Sequence, residues 1–425
     1  LCLFIHILKQ ANRLFGRINK RQCYPLILYS KKNENSYQGK KGNTSMLIGK
    51  YDGIEIHRKE KILYVNFLVQ YRVISTCSVN GGLRDDLEGI ANHQLCEPLG
   101  HDRKGLKIIS ESPFGYLKSV CEKYGLSPEK IALLGTAANM NHAAVELQEY
   151  RGLQVVAIST GGVKTNAGRA GDPATIYEKD GKFISTKGEV DEPHGTINTI
   201  IIINKELTHG AMVRSLVTAA EAKAAALQEL TVNSRYSSGL ATGTGTDQIG
   251  IASRLTGETP LTSAGKHTKL GELIGLTVKN SIKKTLALQD SLTPQSQRSA
   301  KVHLERFGID KESMIEKICS FLDEEKSKLL QKNFATINND SVTVAATSAF
   351  VHLRDKIEWG ILPENCLPEI FSSYGAQLSA SISGKFERVG YYRESLSHEQ
   401  MGICNQTFTN FICKSFALGF REKWE

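Results

Sequence analysis

The chain has 425 residues, of which 40% are hydrophobic and 23% charged, and it carries a formal net charge of +9. This composition is typical of globular proteins and argues against a disordered tail protein, a collagen or a disulfide-stapled miniprotein. Residues 1–45 hold nine of the Lys and Arg residues and one acidic residue, Glu34, so the remaining chain is close to neutral. We therefore expect no nucleic-acid partner for the body of the protein, because a basic footprint would have to lie in this leader.

Residues 1–45 are interpreted as a basic, disordered leader, and we expect the folded chain to begin at Met46. The apolar run at residues 1–8 precedes the basic residues, which is not the usual order of a signal peptide. A weak amphipathic surface anchor and a translation artefact are the alternatives. No run in the chain approaches the roughly 20 apolar residues of a membrane-spanning helix, so no stable membrane insertion is expected.

The nine cysteines are scattered along the chain, without a CxxC pair and without a Cys/His set at zinc spacing. This pattern is typical of reduced thiols and predicts a cytoplasmic protein. It also predicts that the protein has no metal site of its own.

From Met46 onward, short apolar runs alternate with helical patterns and glycine turns. Strands are predicted at residues 51–57, 62–69, 71–76, 131–134, 153–158, 198–204 and 249–252. Amphipathic helices are predicted at residues 114–124, 208–230 and 268–287. The four consecutive isoleucines within residues 198–204 indicate a strand that is covered on both faces. The predicted fold class is α/β or α+β, with a sheet covered by helices and polar Gly/Ser/Thr-rich loops that form a pocket.

The helix predicted at residues 208–230 is the strongest helical pattern, and Thr208 can cap it. At 100° per residue, a core stripe is predicted within about 40° of Val213. The other members of this stripe are Val217, Ala220, Ala224 and Leu227. Glu221 and Lys223 fall at the two edges of the stripe, where they would be either partly buried or solvated rim charges.

The character of the chain changes near residue 290. Residues 46–289 are predicted to form one domain, and residues 290–425 a mostly helical C-terminal domain or cap. In this last part, helices are predicted at residues 293–306, 311–330 and 349–359, and a short strand at residues 341–345.

Four polar loops stand out, at residues 80–82, 135–139, 159–172 and 237–247. Glycine lets backbone amides approach a ligand closely, and loops after strands gather at one edge of a sheet. Four such loops together favour a polar pocket. The chain has no GxSxG elbow, no HExxH helix and no P-loop ending, so a serine-hydrolase triad, a zinc peptidase site and nucleotide binding are unsupported.

The ordered set of polar blocks resembles the CbiZ-type adenosylcobinamide amidohydrolases of corrinoid salvage. The matching blocks are residues 75–82, Asn92, 134–139, 165–174, 195–198, 221–223, 242–247 and 265–275. Ala220 departs from the family pattern, in which a threonine precedes the Glu-Ala-Lys triplet. The resemblance implies hydrolysis of the amide between aminopropanol and the corrin ring of adenosylcobinamide, which gives adenosylcobyric acid and 1-amino-2-propanol. It also implies a corrinoid substrate that brings its own cobalt, so no cofactor is expected; a homo-oligomer is a possible assembly.

Amide hydrolysis needs an activated nucleophile, an oxyanion stabiliser and an acid for the leaving amine. The acid–base candidates in the matching blocks are Asp247, Glu221 and His267. Lys223 and the backbone amides of residues 244–246 are expected to stabilise the oxyanion. The nucleophile would be Thr246 or a directly activated water.

The remaining small polar residues of these blocks are the substrate-binding candidates, because a corrinoid is edged with amides. They are Asn80, Gly81, Gly82, Asn92, Asn139, Asn166, Asp172, Asn198, Thr242 and Thr244. A non-catalytic corrinoid-binding protein and an amidohydrolase of another polar amide are the alternative functions. The presence of acidic, basic and imidazole groups in the matching blocks favours an enzyme.

Overall fold

The computed structural model describes residues 45–97, 112–186 and 195–424, so residues 1–44 of the predicted leader lie outside the described residues. The strands are β1 (Met46–Tyr51), β2 (Ile54–Lys59), β3 (Ile62–Phe67), β4 (Tyr71–Ser75), β5 (Gly82–Arg84), β6 (Gly89–Gln94), β7 (Ile131–Thr136), β8 (Ala144–Tyr150), β9 (Leu153–Gly161), β10 (Ala167–Gly168), β11 (Ile176–Lys179), β12 (Lys182–Ser185), β13 (Ile197–Ile203), β14 (Gly243–Thr244) and β15 (Gln248–Arg254). The helices are α1 (Pro113–Tyr124), α2 (His209–Glu229), α3 (Lys269–Asp290), α4 (Ala300–Leu304), α5 (Lys311–Cys319), α6 (Glu324–Asn338), α7 (Ser341–Glu358), α8 (Leu367–Ser383), α9 (Val389–Ser397) and α10 (Asn405–Arg421).

Two sheets pack face to face in the first part of the chain. One sheet has the strand order β1-β2-β3-β6-β7, and the other has the order β5-β4-β15-β13-β9-β8. In the second sheet, β13 is parallel to β15 and antiparallel to β9. Buried side chains of both sheets, among them Ile56, Val65, Ile200 and Ile202, share one hydrophobic core. The two sheets are therefore the inner layers of the fold.

Helices cover the outer faces of both sheets. Ile201 and Ile203 of β13 belong to a second core, which also contains the buried residues of α2 and α3. On the other side, Leu117 and Val120 of α1 pack with Ile62 of the first sheet. Alternate isoleucines of β13 thus point to opposite cores, as the period of a strand requires, and the predicted doubly covered strand is confirmed. The predicted mixed α/β fold class is confirmed as well.

The core stripe predicted on residues 208–230 is wrong, although the helix and its cap are confirmed. The Thr208 hydroxyl caps α2 by accepting a hydrogen bond from the Ala211 N–H at 3.3 Å. Val213 and Val217 are 54% and 41% exposed. Apart from Leu227, which is buried as predicted, the buried face consists of Ala211, Met212, Ser215, Thr218, Ala219, Ala222 and Ala226. Small residues let α2 and α3 approach closely, and the hydroxyls on this face donate to backbone carbonyls, so hydrophobicity alone placed the face wrongly.

The C-terminal region is helical, as predicted, and it has its own phenylalanine-rich core. Its first helix begins at Ala300 rather than at residue 293, because residues 294–297 form a turn. The predicted helix at residues 311–330 is two helices, since Asp323 caps a new one. None of the helices within the described residues combines the length and the hydropathy of a membrane span.

The strand predicted at residues 341–345 is also wrong, because α7 begins there. The Asp340 carboxylate accepts hydrogen bonds from the N–H groups of Val342 and Thr343, at 3.1 and 2.9 Å. Such a cap satisfies two of the free donors of the first turn, and it outweighs the strand preference of the β-branched residues that follow.

Hydrogen bonds connect the helical region to the loop after α2. Asn233 Nδ2 donates to the Val302 carbonyl at 2.6 Å, and the Arg306 guanidinium donates to the Ser238 carbonyl. Arg306 is itself buried in an ion pair with Asp355, at 2.6 Å. The described residues from 45 onward form one compact unit. The division into domains near residue 290 stays a prediction.

Candidate active site

A cavity of about 650 Å³ opens at the edge of the second sheet where β9 ends and where β13 and β15 begin. The short pair β10–β14 lies at this cavity and joins the loop after β9 to the loop before β15. The cavity is lined by Asn166, Gly168, Arg169, Ala170, Asp172, Pro173, Ala174, Thr175, Ile176, Lys223, Tyr236, Thr242, Gly243, Thr244, Gly245 and Thr246. Two of the four polar loops predicted from the sequence therefore line the same cavity.

A buried ion pair joins Lys223 of α2 to Asp247, the residue before β15. The two side chains are 15% and 7% exposed. The Asp247 carboxylate also accepts hydrogen bonds from the Thr244 N–H at 2.9 Å, the Thr244 hydroxyl at 2.6 Å and the Ile197 N–H at 2.8 Å. A Cβ on Gly243 would lie 2.5 Å from a carboxylate oxygen of Asp247, so glycine leaves room for the pair. These contacts fix the carboxylate and hold the Lys223 ammonium at the cavity.

The hydroxyls of Thr244 and Thr246 have different partners. Thr244 Oγ1 donates to Asp247 Oδ1 at 2.6 Å, whereas Thr246 Oγ1 donates to the Gly195 carbonyl at 3.0 Å. A carboxylate can take a proton from the hydroxyl that it binds, but a peptide carbonyl cannot act as a general base near neutral pH. The geometry therefore favours Thr244 over the predicted Thr246 as a hydroxyl nucleophile.

Asn166 and Tyr236 form one wall of the cavity. Asn166 is 4% exposed, and its Nδ2 donates to the Gly195 carbonyl at 2.8 Å. Its Oδ1 accepts a hydrogen bond from the Tyr236 hydroxyl at 2.6 Å. Sequence reasoning missed Tyr236, although it directly precedes the polar loop at residues 237–247. A tyrosine beside such a loop was the available signal.

Asp172 and Thr242 shape the rim of the cavity. The Asp172 carboxylate accepts hydrogen bonds from the Arg169 N–H at 2.7 Å and the Ser234 hydroxyl at 2.5 Å. Partial burial acts to raise the pKa of Asp172, but the hydrogen bonds from Ser234, Ser237 and Arg169 outweigh it and lower the pKa. The Thr242 hydroxyl accepts a hydrogen bond from a backbone N–H of the same rim at 2.9 Å. Both predicted substrate-binding residues thus lie at the cavity and also hold its loops.

Glu221 and His267 lie outside this cavity lining. Glu221 forms an ion pair with Lys266 at 2.9 Å, and the hydrogen bond from Lys266 lowers the pKa of its carboxyl group. His267 is exposed in the turn before Thr268, which caps α3. Neither Glu221 nor His267 lines the cavity that contains Lys223. A catalytic role for these two residues stays a prediction.

Asn92 and Asn198 belong to a buried amide network between the two sheets. They are 3% and 0% exposed, and Asn198 Nδ2 donates to Asn92 Oδ1 at 3.0 Å. Asn92 Nδ2 donates to the Thr160 hydroxyl at 2.7 Å, and Asn198 also bonds the Gly135 carbonyl and the Gln248 N–H. Because these side chains bond one another, their visible role is to hold the sheets together at the cavity edge. Substrate binding by this pair stays a prediction.

The remaining predicted binding residues stabilise turns. Asn80 Nδ2 donates to two backbone carbonyls, at 2.7 and 2.8 Å. A Cβ on Gly81 would lie 1.9 Å from the Cys77 carbonyl oxygen, and Gly82 has a φ of +74°, so both positions require glycine. Asn139 Oδ1 accepts a hydrogen bond from the N–H two residues later at 2.9 Å. A role of these residues in binding substrate also stays a prediction.

A second polar pair joins His93 of β6 to Tyr116 of α1, and both residues are half-buried. His93 Nδ1 and the Tyr116 hydroxyl share a hydrogen bond, and Tyr124 packs edge-on against the His93 ring. Burial, with smaller contributions from Lys123 and Lys61, lowers the pKa of His93 to about 4. Burial raises the pKa of Tyr116 above its ordinary value. The imidazole and the phenol are therefore both neutral at physiological pH.

We expect His93→Gln to reduce the loss of stability in acid. An unfolded histidine binds a proton below its ordinary pKa of 6.5, but folded His93 does so only near pH 4, so wild-type stability falls as the pH falls through this window. A shift of this size corresponds to about 3 kcal/mol. Thermal unfolding midpoints, measured at neutral pH and near pH 4.5, should fall less steeply in the variant than in the wild type. Equal slopes for the two proteins would contradict this expectation.

Residues 48–294, which include the whole cavity lining, are similar to a known protein family. The family model described as "CbiZ: Adenosylcobinamide amidohydrolase" matches residues 48–294. The uncharacterized protein MJ1613 of Methanocaldococcus jannaschii is 38% identical over 237 residues, which are 55% of this chain and 88% of that protein. The crystal structure of the PH0078 protein of Pyrococcus horikoshii OT3 covers 58% of this chain and 83% of its own, with 12% identity and a TM-score of 0.28, too low to support an argument. The family match spans more than half of the chain and all of the cavity lining, and the chain therefore belongs to the adenosylcobinamide amidohydrolase family.

Proposed function

We propose that the protein hydrolyses the amide between aminopropanol and the corrin ring of adenosylcobinamide, giving adenosylcobyric acid and 1-amino-2-propanol in corrinoid salvage. The observation that carries the proposal is the cluster of Lys223, Asp247 and Thr244 at a polar cavity, within the region that the family model matches. The cluster contains a hydroxyl, a carboxylate that binds it and an ammonium group. These are the groups that acyl transfer needs.

In the proposed reaction, Thr244 Oγ1 attacks the carbonyl carbon of the substrate amide while its proton passes to Asp247. The Lys223 ammonium and the Gly245 N–H stabilise the negative charge that develops on the carbonyl oxygen, since the N–H groups of Thr244 and Thr246 are engaged within the loop. Asp247 then gives the proton to the leaving nitrogen as the C–N bond breaks, which releases the amine and leaves an ester on Thr244. Water hydrolyses this ester, so the carboxylic acid leaves and the Thr244 hydroxyl is restored.

The cavity suits one edge of a large, amide-rimmed ring. Its volume of about 650 Å³ lies within the range of cavities that hold drug-sized molecules, so most of a corrinoid would stay outside it. The Thr242 hydroxyl, which accepts a hydrogen bond from a backbone N–H, can donate its own proton to an amide carbonyl of the substrate. In this proposal the cobalt enters with the substrate. The protein acts in the cytoplasm, as a homo-oligomer.

Incubation of the purified protein with adenosylcobinamide in the dark, followed by chromatography with mass detection, tests this function. A corrinoid with a free carboxylate in place of the aminopropanol amide, together with free 1-amino-2-propanol, is the expected result. Unchanged substrate that co-elutes with the protein would instead identify a non-catalytic corrinoid-binding protein. If the protein neither hydrolyses nor binds adenosylcobinamide, the corrinoid is refuted as the substrate.

A further inference from the structure

A smaller cavity of about 150 Å³ lies beside the main one, between α1, β7 and the start of β15. Thr246 lines both cavities, so the two cavities adjoin at the loop that carries Thr244 and Asp247. The small cavity is therefore next to the groups to which we assign the chemistry.

The walls of the small cavity combine apolar and polar groups. Val79, Leu117 and Leu133 supply apolar surface. The Tyr116 side chain also lines the cavity, and the hydrogen bond between its hydroxyl and His93 fixes its orientation. This lining suits a small molecule that carries both a methyl and a hydroxyl group.

The side-chain amide of Gln248 lines the cavity in a fixed orientation. Its Oε1 accepts a hydrogen bond from the Gly135 N–H at 2.8 Å, which fixes the orientation of the side chain. Both residues line the small cavity. With Oε1 engaged, the Nε2 group is the end of this amide that can donate to a bound hydroxyl.

We propose that this small cavity is the leaving-group subsite, which binds the short amino-alcohol arm of the amide substrate. The inference rests on the proposed function, because that reaction defines which side of the amide leaves. The volume exceeds that of a single water several-fold and lies below the range for drug-sized ligands, as a leaving group of a few heavy atoms requires. Its hydroxyl binds near Tyr116 and Gln248, and its methyl group binds against the apolar wall.

Ser78→Phe tests the subsite by filling it from its exposed rim. Ser78 lines the cavity but is exposed, so a larger side chain there leaves the core intact. We expect KM for adenosylcobinamide to rise at least about tenfold. Product inhibition by 1-amino-2-propanol should be lost, and so should saturation transfer from the protein to this amine in NMR spectra. Lys118→Phe is the matched control, because Lys118 lies on the exposed side of α1 outside the cavity lining, and it should behave as the wild type.

Tyr116→Phe tests hydroxyl recognition without changing the shape of the cavity. The wild type should bind 1-amino-2-propanol more tightly than 1-aminopropane, and the variant should lose this preference. Unchanged KM, inhibition and NMR transfer in Ser78→Phe, with active wild type, would overturn the subsite while the proposed function stands. The wild type could instead show saturation transfer to 1-amino-2-propanol that Ser78→Phe abolishes, but no hydrolase activity. That result would support the subsite and refute the proposed function.

Discussion

Replacing Lys223 with methionine is expected to lower kcat by about 100- to 1000-fold, the usual effect of removing one oxyanion-stabilising group. Methionine keeps the length of the side chain, but it removes the ammonium that Asp247 holds at the cavity. KM should change little if Lys223 acts mainly on the transition state. Steady-state hydrolysis of adenosylcobinamide, followed by mass-detected chromatography, measures both constants.

The Lys223→Met variant leaves a buried carboxylate without its counter-charge, so loss of the fold must be separated from loss of chemistry. The double variant Lys223→Met/Asp247→Asn removes both charges and should recover stability without recovering activity. Lys266→Met removes a lysine from an exposed ion pair outside the cavity lining, and it should stay within a few-fold of wild-type activity. His267→Ala separately tests the predicted acid–base role of His267, which requires a loss of turnover by orders of magnitude. Wild-type kcat in a folded Lys223→Met protein would exclude the oxyanion role.

Thr244→Ala is expected to reduce kcat by at least roughly 1000-fold, because removal of a nucleophile removes the covalent route. Thr246→Ala should retain activity within a few-fold, since the Thr246 hydroxyl donates to a backbone carbonyl rather than to Asp247. Thr244→Ser keeps a hydroxyl and should restore part of the rate. Because Thr244 and Thr246 lie two residues apart in the same loop, each variant is the structural control for the other.

Hydroxylamine distinguishes an ester on Thr244 from direct attack by water. An ester intermediate would react with hydroxylamine and give a corrinoid hydroxamate, which mass detection separates from the carboxylic acid. We expect the hydroxamate with the wild type and with Thr244→Ser. Normal hydrolysis without hydroxamate, together with an active Thr244→Ala variant, would assign the nucleophile to water.

The elements that could be predicted from the sequence were those with one dominant local signal. The isoleucines of β13 indicated a doubly covered strand because each of its two faces packs against a core. α2 was harder, because its buried face is built from alanines and hydroxyl residues that pair with carbonyls. The prediction of a short strand at residues 341–345 was wrong because a single capping carboxylate, that of Asp340, starts a helix there.

At the candidate site, residue types could be read from the sequence, but side-chain orientations could not. Polar blocks located the cavity loops, but they could not tell where each side chain points. Glu221 and Lys223 are separated by 200° around a helix, so only one of them can face a given cavity, and it is Lys223. Thr244 and Thr246 are identical in type and differ only in their hydrogen-bond acceptors, Asp247 and Gly195, which depend on tertiary contacts.

The bonds between the C-terminal helices and the loop after α2 also bear on heat inactivation. The Ser238 carbonyl is held by Arg306, and the same loop carries Tyr236 into the cavity wall. If the helical region melts before the sheets, this loop loses its contacts with Arg306 and Val302, which loosens the segment that carries Tyr236. We expect activity to disappear at the temperature at which the helical signal in circular dichroism first falls, before the sheets unfold. The durability of the catalyst on heating would then be set by helices that supply none of its reacting groups.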